Sequence, residues 1–246
     1  MWTKLSSTSF VVLIIGACAR SSSMADLELE IKNAYVDRNL VTRREVVVAG
    51  ERVEYLEAGE GRPVVFCHGA AFSMRTWQYV GVLDALASRG FRAIAINLPG
   101  YGASSRTIGD KRGREGFLAS FTASISLPSP FVVVAASMGG SYGLPFVMRT
   151  SVAGYVTVAG MLGALGSQRL DDVPVLAIYG SEDARLSSDE RLIKSSFGTS
   201  ELVVMENAPH PCYLRDAVAA EQFTRLILDF VGATHTEGTK VRAKWS

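Results

Sequence analysis

Phe131 to Gly140 reads FVVVAASMGG, an apolar run rich in β-branched residues that stops at a serine with small neighbours. The run has the composition of a buried strand, and Ser137 stands where a strand would turn sharply into a helix. Such a turn brings strand and helix backbones close together, so the residues two before and two after the serine must be small. Those places hold Ala135 and Gly139, followed by Gly140. Glycine is usual at both, and alanine at the first is a variant. The competing reading is that Ser137 only N-caps a helix running from Met138 to about Thr150. The rest of the chain decides between an exposed nucleophile and a cap.

The chain has 246 residues, 48% hydrophobic and 20% charged, which suits one sizeable domain with a single core. Its formal net charge is +1 and no Lys/Arg cluster stands out, so charge gives no argument for nucleic acid or an anionic surface. Partners are therefore sought in a pocket. Lys4 precedes the apolar run Phe10 to Ala19, which ends in Ala17-Cys18-Ala19 before Arg20 and reads as a secretory signal or membrane anchor over residues 1–19. Ile15 to Cys18 also fits a loose lipoprotein box, and Met24 could start a shorter cytoplasmic product. Residues 1–40 are expected to lie outside the fold, the domain to span 41–232, and 233–246 to form a polar tail. Cys67 and Cys212 form no disulfide framework and match no zinc spacing, so no metal is expected.

Residues 44 to 57 alternate around Ala49-Gly50 as a hairpin does. Pro63 to Cys67 is a wholly apolar strand ending at His68-Gly69-Ala70, and Ser73 to Arg89 carries Trp77, Val80, Leu83 and Leu86 at helical spacing. Phe91 to Asn97 forms another strand, broken at Leu98-Pro99-Gly100-Tyr101-Gly102. That Gly-x-Gly lacks the third glycine of a dinucleotide loop. Ser104 to Glu115 reads as a loop and Gly116 to Ile125 as a weak helix. Strands follow at Val152 to Ala159, Val173 to Tyr179 and Leu202 to Met205, with helices at Ser188 to Ser195 and Ala217 to Val231. Apolar strands alternating with helices predict an α/β architecture, a mainly parallel central sheet with helices on both faces.

In such sheets, sites form beyond the carboxyl ends of the strands. His68-Gly69-Ala70, Ser137, Asp183 and His210 all stand at predicted strand ends. A serine hydroxyl needs a base within hydrogen-bond reach, and of three histidines His210 is best placed, since His68 lies in an early turn and His235 in the tail. Asp183 would orient the imidazole, with Glu182 and Asp172 as rivals. The backbone N–H groups of Ala70 and Met138 would bind an oxyanion. Activity is then expected to rise as pH passes through the range where histidine loses its proton.

His68-Gly69 with Phe72-Ser73 and Thr76-Trp77-Gln78, Phe91 to Ile96, Leu98-Pro99-Gly100, Leu144-Pro145-Phe146, Ile178-Tyr179-Gly180 and above all Ala208 to Leu214 (APHPCYL) resemble the α/β-hydrolase superfamily. Within it they resemble the α/β-hydrolase domain-containing protein 14 family. The resemblance covers about residues 44 to 232 and implies an α/β-hydrolase fold with a catalytic set on Ser137, Asp183 and His210. It implies small acyl-ester or amide hydrolysis through an acyl-enzyme, or transfer of an acyl group, including acetyl from lysine, to coenzyme A. No cofactor is otherwise required. A third reading is a non-catalytic ligand receptor on the same fold. The departures are Ala135-Ala136 in an elbow that is serine-rich in the family, and Asn97 where aspartate is commoner.

The segment Ala159 to Asp172 is too short for a helical cap, so little or no cap domain is expected and the mouth should be open. Candidate substrate-binding walls are Phe72, Trp77 and Tyr142, with Met74, Met138 and Met161. An open, shallow apolar pocket favours short acyl chains. The expected partners are a small acyl substrate or an acylated lysine, with no nucleic acid, with membrane contact only through the N-terminal segment, and with a monomeric chain.

Overall fold

The computed structural model describes residues 41–236; the signal or anchor reading of residues 1–19 lies outside them. Eight strands form one sheet: β1 (Val41–Val48), β2 (Glu51–Ala58), β3 (Arg62–Cys67), β4 (Phe91–Ile96), β5 (Val132–Ala136), β6 (Gly154–Val158), β7 (Leu170–Gly180) and β8 (Phe197–Met205). Their spatial order is β1-β2-β4-β3-β5-β6-β7-β8. The hairpin turns at Ala49-Gly50 with Val46 opposite Val53, and β2 pairs antiparallel with β4. From β4 onward every pairing is parallel.

The continuous apolar runs follow from burial on both faces. In β3, Val64 and Phe66 join one core cluster while Val65 and Cys67 join the other; in β5, Val132 and Val134 part from Val133 and Ala135 in the same way. The first cluster is covered by helices α1 (Arg75–Val80), α2 (Val82–Ala87) and α6 (Ala217–Thr236), through Trp77, Leu83, Phe223 and Ile227. The second is covered by α3 (Thr107–Ser124), α4 (Gly140–Val147) and α5 (Leu186–Ser196), through Phe117, Phe121, Leu144 and Ile193. Each cluster removes tens of apolar side chains from water, at roughly 1.5–3 kcal/mol for each large one.

Several expected boundaries change. The single helix from Ser73 to Arg89 is two, because Gly81 adopts φ 83° and ends the first. The stretch expected as a loop before Glu115 is the first part of α3, whose polar residues carry no apolar stripe; Gly113, at φ 64°, kinks it. The helix expected from Met138 begins as a 3-10 turn, Ser137–Gly139, and its α-helical part ends at Val147. Strand β8 starts at Phe197, ahead of the expected Leu202, because the exposed polar residues of an edge strand leave no apolar run to mark its first half. Helix α6 runs past Gly232 to Thr236, into the stretch expected as a polar tail, and the rest of that stretch lies outside the described residues. Between β6 and β7 the only helix is the 3-10 turn Gly163–Leu165.

Candidate active site

Ser137 leaves β5 with φ 46°, a left-handed conformation uncommon for a residue with a side chain. Close packing enforces it. A Cβ on Gly139 would lie 2.5 Å from the Cys67 carbonyl oxygen, and one on Gly140 would lie 2.5 Å from the Met161 nitrogen. The alanine at position 135 is accommodated farther along: a Cβ on Gly143 would stand 2.9 Å from the Ala135 methyl, so a glycine in α4 supplies the room. The Met161 N–H donates to the Ser137 carbonyl at 3.0 Å and ties the turn to the loop after β6.

The His210 loop follows β8 and meets the Asp183 loop, which follows β7. Gly180 permits their approach, since a Cβ there would collide with the carbonyls of Ala208 and Pro209. Ser181 N–H donates to Met205 C=O at 3.0 Å, Glu182 N–H to Ala208 C=O at 3.0 Å, and Asn207 N–H to Ser181 Oγ at 2.9 Å. Below the loop Tyr213 stacks on Trp77 at 5.3 Å and meets Phe223 at 5.0 Å, anchoring the histidine to the core.

These elements bring three side chains together. His210 Nε2 lies 2.9 Å from Ser137 Oγ, and His210 Nδ1 lies 2.7 Å from Asp183 Oδ2. An imidazole nitrogen facing a carboxylate carries the proton, which leaves Nε2 as the acceptor for the serine hydroxyl. The Asp183 side chain is 3% exposed and that of His210 40% exposed, so the acid is covered while the base reaches solvent. Asp183 Oδ1 also accepts the Arg185 N–H at 3.0 Å in the turn that opens α5. Neither rival acid has that placement: Asp172 is exposed in the first part of β7, and Glu182 lies exposed toward Arg215.

The His68-Gly69-Ala70 turn faces the same point. A Cβ on Gly69 would stand 3.4 Å from Ser137 Cβ, and Phe72 N–H closes the turn on Gly69 C=O at 3.1 Å. His68 is fully buried: its Nδ1–H donates to Gly69 C=O at 2.8 Å, and its Nε2 accepts the Leu98 N–H at 3.1 Å. Burial pushes its imidazole down to about 4, against a smaller opposing effect of the Gly69 carbonyl, so it is neutral at physiological pH. Burial likewise pushes the Cys67 and Cys212 thiols up to about 12, too high for either to serve as a thiolate at neutral pH.

Asn97 has a reason to differ from aspartate. Its Nδ2 donates to buried Glu54 Oε2 at 2.7 Å, and its Oδ1 accepts the Met74 N–H at 2.9 Å. Against burial, which raises it, the Ala103 N–H, the Asn97 amide and the Arg43 guanidinium hold the Glu54 carboxyl below its usual range. An aspartate at 97 would set a second carboxylate on that charge.

Three of the expected walls are covered. Trp77 is wholly buried beneath Tyr213, and Met74 is buried in the same cluster, so neither lines a mouth. Tyr142 is also nearly covered, edge-on to Phe117 at 5.7 Å with Arg114 at 5.6 Å over its ring. Phe72 and Met138 are half-buried and Met161 is 44% exposed, so these three retain surface near Ser137. Helical spacing marks a buried face without saying which layer covers it, which is why Trp77 could be misplaced. Arg185, which lies against the Asp183–His210 pair, carries no motif that would have singled it out. Among the described residues no cluster of His, Cys, Asp or Glu could hold a metal ion, and no helix is long and apolar enough to cross a membrane.

Comparison with known proteins bears on the family and the fold. The model of the alpha/beta hydrolase family matches residues 64–229. ABHD14A of Danio rerio is 34% identical over 175 residues, covering 68% of this chain and 63% of its own length. ABHD14B of Rattus norvegicus is 36% identical over 185 residues, covering 69% of this chain and 87% of its own. Among solved structures, a predicted CIB-like hydrolase from Thermoplasma acidophilum superposes with a TM-score of 0.68 at 22% identity, covering 77% of this chain and 97% of that one. An epoxide hydrolase from Vigna radiata, VrEH1, also gives 0.68, at 16% identity over 80% of this chain and 99% of its own; these two likenesses concern the fold. The chain is therefore an enzyme of the hydrolase class, belonging to the alpha/beta hydrolase family and, within it, to the ABHD14 group.

Proposed function

We propose that the enzyme cleaves small acyl esters or amides through an acyl-enzyme on Ser137, with His210 as general base and Asp183 as its orienting acid. The observation that carries this reading is the unbroken hydrogen-bonded chain from Ser137 Oγ through both nitrogens of His210 to Asp183. Ser137 Oγ attacks the acyl carbon while its proton passes to His210 Nε2, and the imidazolium that forms is stabilised by Asp183. The carbonyl oxygen gains negative charge, and the backbone N–H groups of Ala70, after β3, and Met138, after β5, would be its donors. Collapse expels the leaving group, which takes the proton from His210. Water then repeats the sequence on the acyl-serine and frees the acid.

Acylated lysine is a second substrate class. It is favoured by the relative from Rattus norvegicus, whose full name is "Putative protein-lysine deacylase ABHD14B". The same acyl-serine serves transfer to a thiol such as coenzyme A, which would enter as a substrate. The partly exposed Phe72, Met138 and Met161, with a single 3-10 turn between β6 and β7, support an open site suited to short acyl groups.

A fluorophosphonate probe tests this reading against a receptor role. Covalent labelling located on Ser137 by peptide mass spectrometry, lost in Ser137→Ala and competed by p-nitrophenyl acetate, is the expected result. An intact chain that takes up no label would make it a binding protein. Among p-nitrophenyl esters the best substrates should carry about two to four acyl carbons, because a longer chain gains its roughly 0.8 kcal/mol per methylene only in an enclosed channel. A rise in kcat/KM continuing to long chains would overturn that size limit.

A further inference from the structure

Arg185 is two residues past Asp183, and its side chain, 37% exposed, runs back along the acid and base. Its Nη2 lies 3.3 Å from His210 Nδ1, and its Nε lies 3.9 Å from Asp183 Oδ1. The same Nη2 donates to the Ala159 carbonyl. Ala159 is held on its other side by its N–H on Ile178 C=O at 2.9 Å, and it adopts φ 43°, a conformation an alanine keeps only under restraint. Two residues on, the Met161 N–H bonds the Ser137 carbonyl. One guanidinium thus joins the acid, the base and the loop that braces the nucleophile.

Since His210 Nδ1 already directs its proton at Asp183, the Arg185 N–H facing it meets a second donor. The contact is one of charge, not a hydrogen bond. We infer that Arg185 is a positioning residue that holds Asp183 and the Ala159 loop in place and, as a fixed cation behind the imidazole, keeps His210 in its neutral, proton-accepting form to lower pH. The inference rests on the catalytic reading above. Other groups near the pair do not supply such a charge. Ser137 faces Nε2, and Cys212, whose thiol stays protonated, lies toward Asp183. From β7, Tyr179 is held protonated chiefly by burial, and its hydroxyl donates to Asp189 of α5 at 3.0 Å. Glu182 is directed to Arg215.

Arg185→Met removes the charge and keeps much of the volume. It should lower kcat about tenfold with KM changed less than about twofold, and the acid limb of the kcat/KM profile should move up by about half a pH unit or more, because a cation opposes protonation of its neighbour. Arg185→Lys should return the limb toward the wild-type position while recovering only part of kcat, since one ammonium cannot span Asp183 and Ala159 together. Should Arg185→Met fail to accumulate folded, Arg185→Gln, which retains a donor for Ala159, carries the same comparison. A limb unmoved in the uncharged variant, or moved down, overturns the inference. If Ser137→Ala and His210→Ala are inactive in the same assay, that outcome leaves the catalytic reading standing. If those two variants retain activity, the reading itself has failed.

Discussion

Two histidines stand beyond the strand ends of this sheet, and their surroundings assign them opposite work. His68, after β3, is fully buried, and both its nitrogens bond backbone groups, Gly69 C=O and Leu98 N–H. It ties the β3 turn to the β4 turn and leaves no nitrogen for a substrate. His210, after β8, is 40% exposed, and both its nitrogens face side chains that can exchange charge or protons, Asp183 and Ser137. A histidine whose nitrogens both bond the backbone braces the fold, whereas one set between a carboxylate and a hydroxyl, with access to solvent, can move a proton.

The largest expected effect separates the two directly. His210→Ala should lower kcat/KM for an activated ester by about three orders of magnitude with little change in melting temperature, because the base is lost from a loop held by other contacts. His68→Ala should do the reverse: stability falls by roughly 1–3 kcal/mol from the unpaired Gly69 carbonyl and Leu98 N–H, while activity per folded molecule stays within about an order of magnitude. Ester turnover and thermal melts on both variants check this. A His68→Ala protein that is fully folded yet as inactive as His210→Ala would erase the distinction.

The next effect is a pH dependence of stability. His68 sits near 4 in the fold against 6.5 when free, so between those values the unfolded chain binds the extra proton. The stabilisation from burying a neutral ring is therefore complete above about 6.5 and declines as pH falls toward about 4, by about 3 kcal/mol in all. Urea melts at pH 7 and 4.5 should show the decline in the wild type and a shallower one in His68→Gln. Equal slopes would mean that other groups govern acid unfolding.

The sheet and the order of its polar strand ends could be read from the sequence because burial on both faces leaves unbroken apolar runs, as in Pro63 to Cys67 and Phe131 to Ala136. Gly180 and Gly102 were visible as glycines, but their necessity arises from segments distant in the chain: Ala208 for the first, Asn97 and Glu54 for the second. The break at Gly81 was hidden because an apolar helical pattern continues across it. Trp77 and Tyr142 had the composition of pocket walls, and only the packing of Tyr213 and Phe117 against them shows that they are covered. The exchange of room between Ala135 and Gly143 spans a strand and a helix, a pairing that periodicity does not reveal.

Trapping the acyl-enzyme decides whether Ser137 is the nucleophile. Mixing the enzyme rapidly with p-nitrophenyl acetate, quenching with acid and mapping peptides should locate one acetyl group per chain on Ser137. The adduct should be absent from Ser137→Ala, whose steady-state turnover should fall by about three orders of magnitude. An acetyl group found on Cys67 or Cys212 instead, or a Ser137→Ala protein that turns over at the wild-type rate, would rule Ser137 out as the nucleophile.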